Sequence, residues 1–250
     1  MPNWVRNKLA INSQDSNDII AALVDDEGQL DFEKIVPMPE TLKITSGSIT
    51  DECISLYMFS IKGTKKYATY EKLLDKYKKS VKQFTSEEFE KEVNKYVGDN
   101  VFFNERKLNT KEDVLKFGKQ VIDNLQKYGF PDWYSWSIFN WGTKWNAKDT
   151  IIEDNAIKFE TAWDPPIKYV QALSKKYPES EIVLDFAEEQ IGFRTGQVTF
   201  REGSVVGYCG PNNESKEAYE KSFELWPEVK RYFKFDKKQN NYVEKQENME

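Results

Sequence analysis

"AIKFETAWDPPIKYVQALSKKYPESEIVLDFAEE", residues 156–189, contains a strand, a helix and a strand in one run. "AIKFETAW" has the composition of a strand, and Asp164-Pro165-Pro166 ends it, because proline fixes φ and has no N–H to give to a ladder. A helix follows through Val170 and Leu173 to Tyr177, and Pro178 stops it. "EIVLDFAEE", "IGFRTGQVTFREG" and "SVVGYCG" are then strands separated by glycine-containing turns, the pattern of sequential antiparallel hairpins.

Upstream, a strand is expected near 144–152, joined to "AIKFETAW" by the acidic turn Glu153-Asp154-Asn155. The N-terminal segment repeats the theme. Val5, Leu9 and Ile11 share one parity of a strand, residues 12–15 form a turn, and Ile19, Ile20, Leu23 and Val24 recur at helical spacing. Pro37 and Pro39 then force an extended path. Residues 1–30 thus supply β and α, and 131–210 supply β, β, α, β and more strands. The expected fold class is α+β: a ferredoxin-like antiparallel sheet sandwich with extra C-terminal strands and a helical insertion.

The insertion occupies residues 41–130, between the two sandwich segments 1–40 and 131–210. Tyr67, Tyr70, Leu74, Tyr77, Val81 and Phe84 step by three or four with lysines on the other faces. Thr85 to Glu88 and Thr110 to Asp113 have the spacing of capping boxes, and Gly129 is a natural stop. Residues 61–130 carry a net +5 and the rest of the chain a net −11, so a basic block is set in an acidic protein of formal charge −6. Residues 211–250 are expected to form a helix with Tyr219, Phe223 and Trp226, followed by a disordered polar tail.

Composition excludes several chemistries. Histidine is absent, which removes Ser-His-Asp triads, Cys-His dyads and the commonest metal ligand. Cys53 and Cys209 are the only cysteines, too few for the roughly four thiolates of an iron–sulfur cluster. No Gly-rich phosphate loop occurs. No cofactor is expected, no run is apolar enough to span a membrane, and the opening residues lack the apolar core of a signal peptide. Cytoplasm is the default compartment.

"MPNWVRNKLAI", "KIVPMP", "WYSWSIFNWGTKWNA" and "FETAWDPPIKYVQALSKKYP" stand in an order that resembles the YubB-type proteins of plasmids and bacteriophages, whose C-terminal part has a ferredoxin-like fold. The blocks cover about the first 40 residues and 131–210. The resemblance implies a mobile-element protein working inside a bacterial cell, in a family without an assigned activity. Members often carry Cys after the opening Asn-Trp and Gly near position 13; Val5 and Ser13 stand here, so no role rests on a cysteine there.

The candidate binding residues are Trp133, Tyr134, Trp136, Trp141, Lys144, Trp145, Trp163 and Asp164. Four of the seven tryptophans fall between 133 and 145. Indoles at joints between elements serve either as core or as a stacking platform, and core packing is the favoured reading. Asp164 is either an N-cap or, with Glu160 or Asp132, a carboxylate ligand of a hard metal, the cap being favoured. Lys144 is either a solvated residue at a strand start or a cation that stacks on indole or approaches an anion. Glu188 and Glu189 read as a charged hairpin end. The leading expectation is a non-catalytic phage or plasmid accessory protein that binds a host macromolecule, a protein or protein–nucleic-acid complex, and blunts a host defence. A single-stranded DNA- or RNA-binding protein is the alternative, and a carboxylate or metal-dependent enzyme the least favoured.

Overall fold

A computed structural model describes residues 3–101 and 106–245. In chain order the elements are β1 (Trp4–Asn12), α1 (Ser16–Leu23), α2 (Ser48–Ser60), α3 (Lys65–Lys76), α4 (Ser86–Tyr96), β2 (Asn100–Val101) and β3 (Arg106–Lys107). There follow α5 (Lys111–Tyr128), α6 (Trp133–Asn140), β4 (Lys148–Glu153), β5 (Ala156–Ala162), α7 (Ile167–Lys176) and β6 (Glu181–Glu188). The chain closes with β7 (Thr195–Arg201), β8 (Ser204–Cys209), α8 (Lys216–Leu225), β9 (Phe233–Asp236) and β10 (Asn241–Glu244). It divides into two compact units, residues 1–37 with 137–250, and residues 38–136.

The first unit holds the sheet. Among the described residues six strands pair antiparallel in the order β4-β5-β1-β6-β7-β8. The first four, with α1 after β1 and α7 after β5, are the split βαβ arrangement of a ferredoxin-like sandwich, and β7 and β8 extend it beyond β6. Alternation in β1 assigns the faces: Val5, Asn7, Leu9 and Ile11 are buried, while Trp4, Arg6, Lys8 and Ala10 are half-buried. On the buried face Phe32 meets Tyr169 of α7 at 4.2 Å and Phe159 of β5 at 6.1 Å between ring centroids, an aromatic centre worth more than its area alone. On the other face α8 lies over β1, β6 and β7. Lys221 pairs there with Asp185, and the Trp226 indole N–H that follows the helix donates to Ala187 O at 3.0 Å.

The second unit is helical. Its core joins α2, α3, α4 and α5 through residues such as Ile54, Leu74, Val93, Phe117 and Val121. Both capping boxes are formed, and Gly129 ends α5 with φ 82°. Tyr70 belongs to the core, and Tyr67 and Tyr77 pack against it. The tyrosine stripe therefore docks the lysine-rich helix α3. Gly118 lets α5 approach α2: a Cβ there would stand 2.0 Å from the carbonyl oxygen of Cys53.

Three expectations about the elements and their ends need correction here. The strand expected near 144–152 runs from Lys148 to Glu153, because residues 141–147 are spent on a turn held by side-chain hydrogen bonds described below. Residues 236–244 of the expected disordered tail form the end of the first strand, the turn and the second strand of a hairpin. Aromatic docking supplies the burial that composition did not reveal: Tyr242 packs against Phe223 at 5.1 Å and Phe235 at 5.2 Å. Residues 246–250 of that tail lie outside the described residues. Asp164, finally, caps nothing; α7 begins at Ile167 with Pro166 before it and no side-chain cap.

Candidate functional site: a tryptophan–cation surface on the sheet

The sequence-selected tryptophans separate by burial. Trp133, Trp136 and Trp141 are buried, at 9%, 6% and 4% exposure, and belong to the interior. Trp145 and Trp163 are half-buried, as are Tyr134, Lys144 and Asp164. Tyr134 stands in α6 edge-on to Trp133 at 5.7 Å, its N–H donating to Asp132 Oδ1 at 3.0 Å. Burial pushes the Asp132 carboxyl up to about 6 despite that hydrogen bond.

The 141–147 turn is fixed from several sides, which is what places Lys144 and Trp145. Trp141 donates its indole N–H to Val36 O at 2.9 Å. Gly142, at φ 86°, lies so close to the start of α7 that a Cβ would stand 3.2 Å from Ile167 N, so only glycine fits the turn. Thr143 Oγ1 donates to Ala162 O at 2.8 Å, Ser137 Oγ donates to Lys144 O at 2.7 Å, and Asn146 accepts from Phe32 N at 2.8 Å.

With the turn anchored, cations and indoles alternate across the half-buried face. The Lys144 ammonium lies 4.3 Å from the Trp163 ring centroid and 4.4 Å from that of Trp145. Trp145 meets Trp4 at 6.1 Å, and Lys148 sits 3.6 Å over Trp4. The irregular register between Lys148 and Ile151, with Asp149 at φ 53°, brings Lys148 opposite Glu160, whose carboxylate it meets at 3.1 Å. Glu160 also accepts from Arg6 Nε at 3.0 Å, and the Arg6 guanidinium lies 3.8 Å over Trp226. Arg6 further pairs with Glu228 at 2.7 Å and donates to Leu225 O at 3.2 Å. The row thus runs Trp163, Lys144, Trp145, Trp4, Lys148, Glu160, Arg6, Trp226. Burial opposes the charge on Lys148, yet hydrogen bonds to Asp149 and Glu160 hold its pKa above the ordinary lysine value.

One end of the row is strained and pinned. Trp163 has φ 72°, an outlier for a bulky residue, and its N–H donates to Asn3 O at 2.8 Å. Asp164 pairs with Arg194, whose guanidinium also reaches Trp163 O at 3.4 Å and Glu188 at 3.7 Å. Glu188 is 5% exposed and accepts from Asn3 Nδ2 at 2.8 Å, so it is a buried anchor and not a charged hairpin end. A 270 Å3 pocket opens beside Arg6 and Glu160, walled by Ile151 and Lys158 on one side and Leu225 and Pro227 on the other.

Of the residues chosen from sequence, Lys144, Trp145 and Trp163 lie together on this surface, with Asp164 bound at its end. Trp4, Arg6, Lys148, Glu160 and Trp226 complete it. Arg6 and Lys148 carried no local motif; the signal lay in β1 alternation, which puts Trp4 and Arg6 on the non-core parity. Asp132, Glu160 and Asp164 each have their own partner, Tyr134 N–H, the Arg6–Lys148 pair and Arg194. Among the described residues no group of three or more carboxylates or thiols is placed to hold a metal ion.

Residues 140–227 match the family model described as the ferredoxin-like domain in Api92-like protein. The match runs from the end of α6 past α8, so it includes the 141–147 turn, whereas β1 and α1, which complete the sandwich, lie outside it. A crystal structure of the protein api92 from Yersinia pseudotuberculosis is similar over 84% of this chain and 100% of that one, at 12% identity and a TM-score of 0.39. No curated protein matches the chain. No helix among the described residues is long and apolar enough to cross a membrane.

Proposed function

We propose that this chain is a non-catalytic binding protein that engages a protein partner through the tryptophan–cation surface of its sheet. It serves a plasmid or bacteriophage as a YubB-type accessory factor in the cytoplasm of the bacterial host, where the process it blunts is a host defence. The mobile-element part rests on the order of the sequence blocks quoted above, and the Api92-like match of residues 140–227 is the coarser relation that accompanies it.

The observation that supports a protein partner is the occupancy of the indoles. Trp4, Trp145, Trp163 and Trp226 each carry a lysine or arginine over the ring. Arg6 and Lys148 are in turn tied to Glu160. Such a surface is rigid, aromatic and close to neutral, the composition of protein interface centres, where Trp and Arg dominate the energetics. Single-stranded nucleic acid needs open ring faces for bases and unpaired cations for phosphates. Here Glu160, Asp149 and Asp164 interleave with the cations and would repel a phosphate backbone.

The test is capture from host lysate, with and without nuclease, by the wild-type chain and by Lys144→Glu. A protein retained after nuclease by wild type and lost with Lys144→Glu is the expected result. Recovery of nucleic acid alone, or of proteins that disappear with nuclease, contradicts the reading.

A further inference from the structure

A second surface of the sheet-bearing unit has different chemistry. The β6–β7 turn, α8 and the β9–β10 hairpin surround a groove of about 1240 Å3. Its floor is the Tyr219 ring, which packs on Gly192 so closely that a Cβ would stand 2.9 Å from Tyr219 Cε1; Gly192 also has φ 84°. Phe233 and Tyr242 hold the hairpin to that floor, at 5.6 and 6.1 Å from Tyr219.

Charge in the groove is uneven in a way that selects a ligand. Glu189, Glu214 and Glu244 line it, and among the described residues no side-chain hydrogen bond or ion pair engages their carboxylates; Glu214 accepts only at its backbone oxygen, from Asn241. The two cations that line it, Arg231 and Lys245, are held by neutral oxygens and keep their charge, so the lining carries three carboxylates against two cations. Arg231 donates to Tyr232 Oη at 2.6 Å and lies 4.8 Å over that ring, and Lys245 Nζ donates to Arg231 O at 2.6 Å. The carboxylates are not grouped closely enough to hold a metal ion. Two of them nevertheless act on the floor: burial first, and then the fields of Glu214 and Glu244, hold the Tyr219 hydroxyl above its ordinary pKa.

We propose that this groove binds a basic peptide segment, its arginine or lysine side chains lying over Phe193 and Tyr219 and pairing with Glu189, Glu214 and Glu244. Separated carboxylates around aromatic walls fit several cationic side chains on one extended chain and do not fit a single ion. The volume exceeds the range of about 300–1000 Å3 usual for compact small-molecule sites, in keeping with a segment that lies along the groove. The groove shares no lining side chain with the tryptophan–cation row, although the Glu189 N–H donates to Trp4 O at 2.9 Å.

The experiment is anisotropy titration of a labelled peptide of alternating arginine and glycine, with a citrulline-for-arginine peptide as the neutral control. The proteins are full-length wild type, the triple variant Glu189→Gln/Glu214→Gln/Glu244→Gln, and the charge-matched variant Glu27→Gln/Glu71→Gln/Glu87→Gln. The groove variant is expected to weaken arginine-peptide binding about tenfold or more, from three partly exposed ion pairs lost together. The charge-matched variant is expected to bind as wild type does, and the citrulline peptide to bind to none. Equal binding by the groove variant, equal weakening in the charge-matched variant, or no binding by wild type would overturn the assignment.

Discussion

Replacing Arg6 by lysine tests whether the tryptophan–cation row is held by geometry or by charge alone. Arg6 makes four contacts from one planar group: Glu160 at 3.0 Å, Glu228 at 2.7 Å, Leu225 O at 3.2 Å and the Trp226 ring at 3.8 Å. A lysine keeps the charge but has no planar fork, so it can serve one carboxylate at a time and cannot stack flat on indole. The Arg6 side chain is 31% exposed and Glu228 48%, so the Glu228 pair is screened and contributes a few tenths of a kcal/mol. Glu160 is only 14% exposed, and a charge-assisted hydrogen bond at such a site is worth about 1.5–3 kcal/mol. Lys148 still reaches Glu160 at 3.1 Å in the variant, which puts the loss at the low end. Adding about 0.5–1 kcal/mol for the cation–π contact gives a loss of about 2–3 kcal/mol. For a chain of this size that is a fall in Tm of roughly 4–12 °C. Urea denaturation and thermal scans of wild type, Arg6→Lys and Trp226→Phe measure it. If Arg6→Lys is as stable as wild type, the guanidinium geometry carries no weight and the reasoning fails.

Further expectations concern single residues. Asp132 has a folded pKa of about 6, above its unfolded value, so its contribution is fully present below pH 4 and is lost as pH rises through 6. Asp132→Asn, which keeps an acceptor for Tyr134 N–H, should therefore gain on the order of 2 kcal/mol over wild type at pH 7 and nothing below pH 4; a gain independent of pH in urea titrations would count against it. Gly118→Ala sets helix propensity, about 0.5–1 kcal/mol in favour of alanine, against a methyl 2.0 Å from Cys53 O. Overpacking of about 1–3 kcal/mol or more should win, and a variant more stable than wild type would show that α2 and α5 do not approach as described. Cys209 is exposed, whereas burial pushes the Cys53 thiol up to about 12. Thiol titration should find one reactive group in the native protein and two after denaturation; two fast-reacting thiols in the native protein would contradict the burial of Cys53.

Local rules made much of the fold legible. The strand–helix–strand run from Ala156 to Glu189, the capping residues Thr85 and Thr110 and the stop at Gly129 are decided by neighbours in sequence, and the structure places elements where those signals point. The β9–β10 hairpin was hidden because Tyr242 sits in a polar tail whose hydrophobic partner, Phe223, is in another element. Asp164 was misread for a related reason. A side chain at a strand-to-helix junction caps by default, and only the fold brings Arg194 to it from 30 residues away. The candidate surface was half legible. Lys144, Trp145 and Trp163 were conspicuous by composition, but Arg6, Lys148 and Glu160 acquire meaning only through the register that sets Arg6 and Lys148 against Glu160.

The central claim, that the half-buried indoles meet a protein partner while the buried ones form the core, is tested most directly by NMR of the indole N–H groups with the captured host protein added. The account predicts that the resonances of Trp4, Trp145 and Trp163 shift or broaden while those of Trp133, Trp136 and Trp141 stay in place. Unchanged signals from the first three, or changes confined to the buried three, would contradict it.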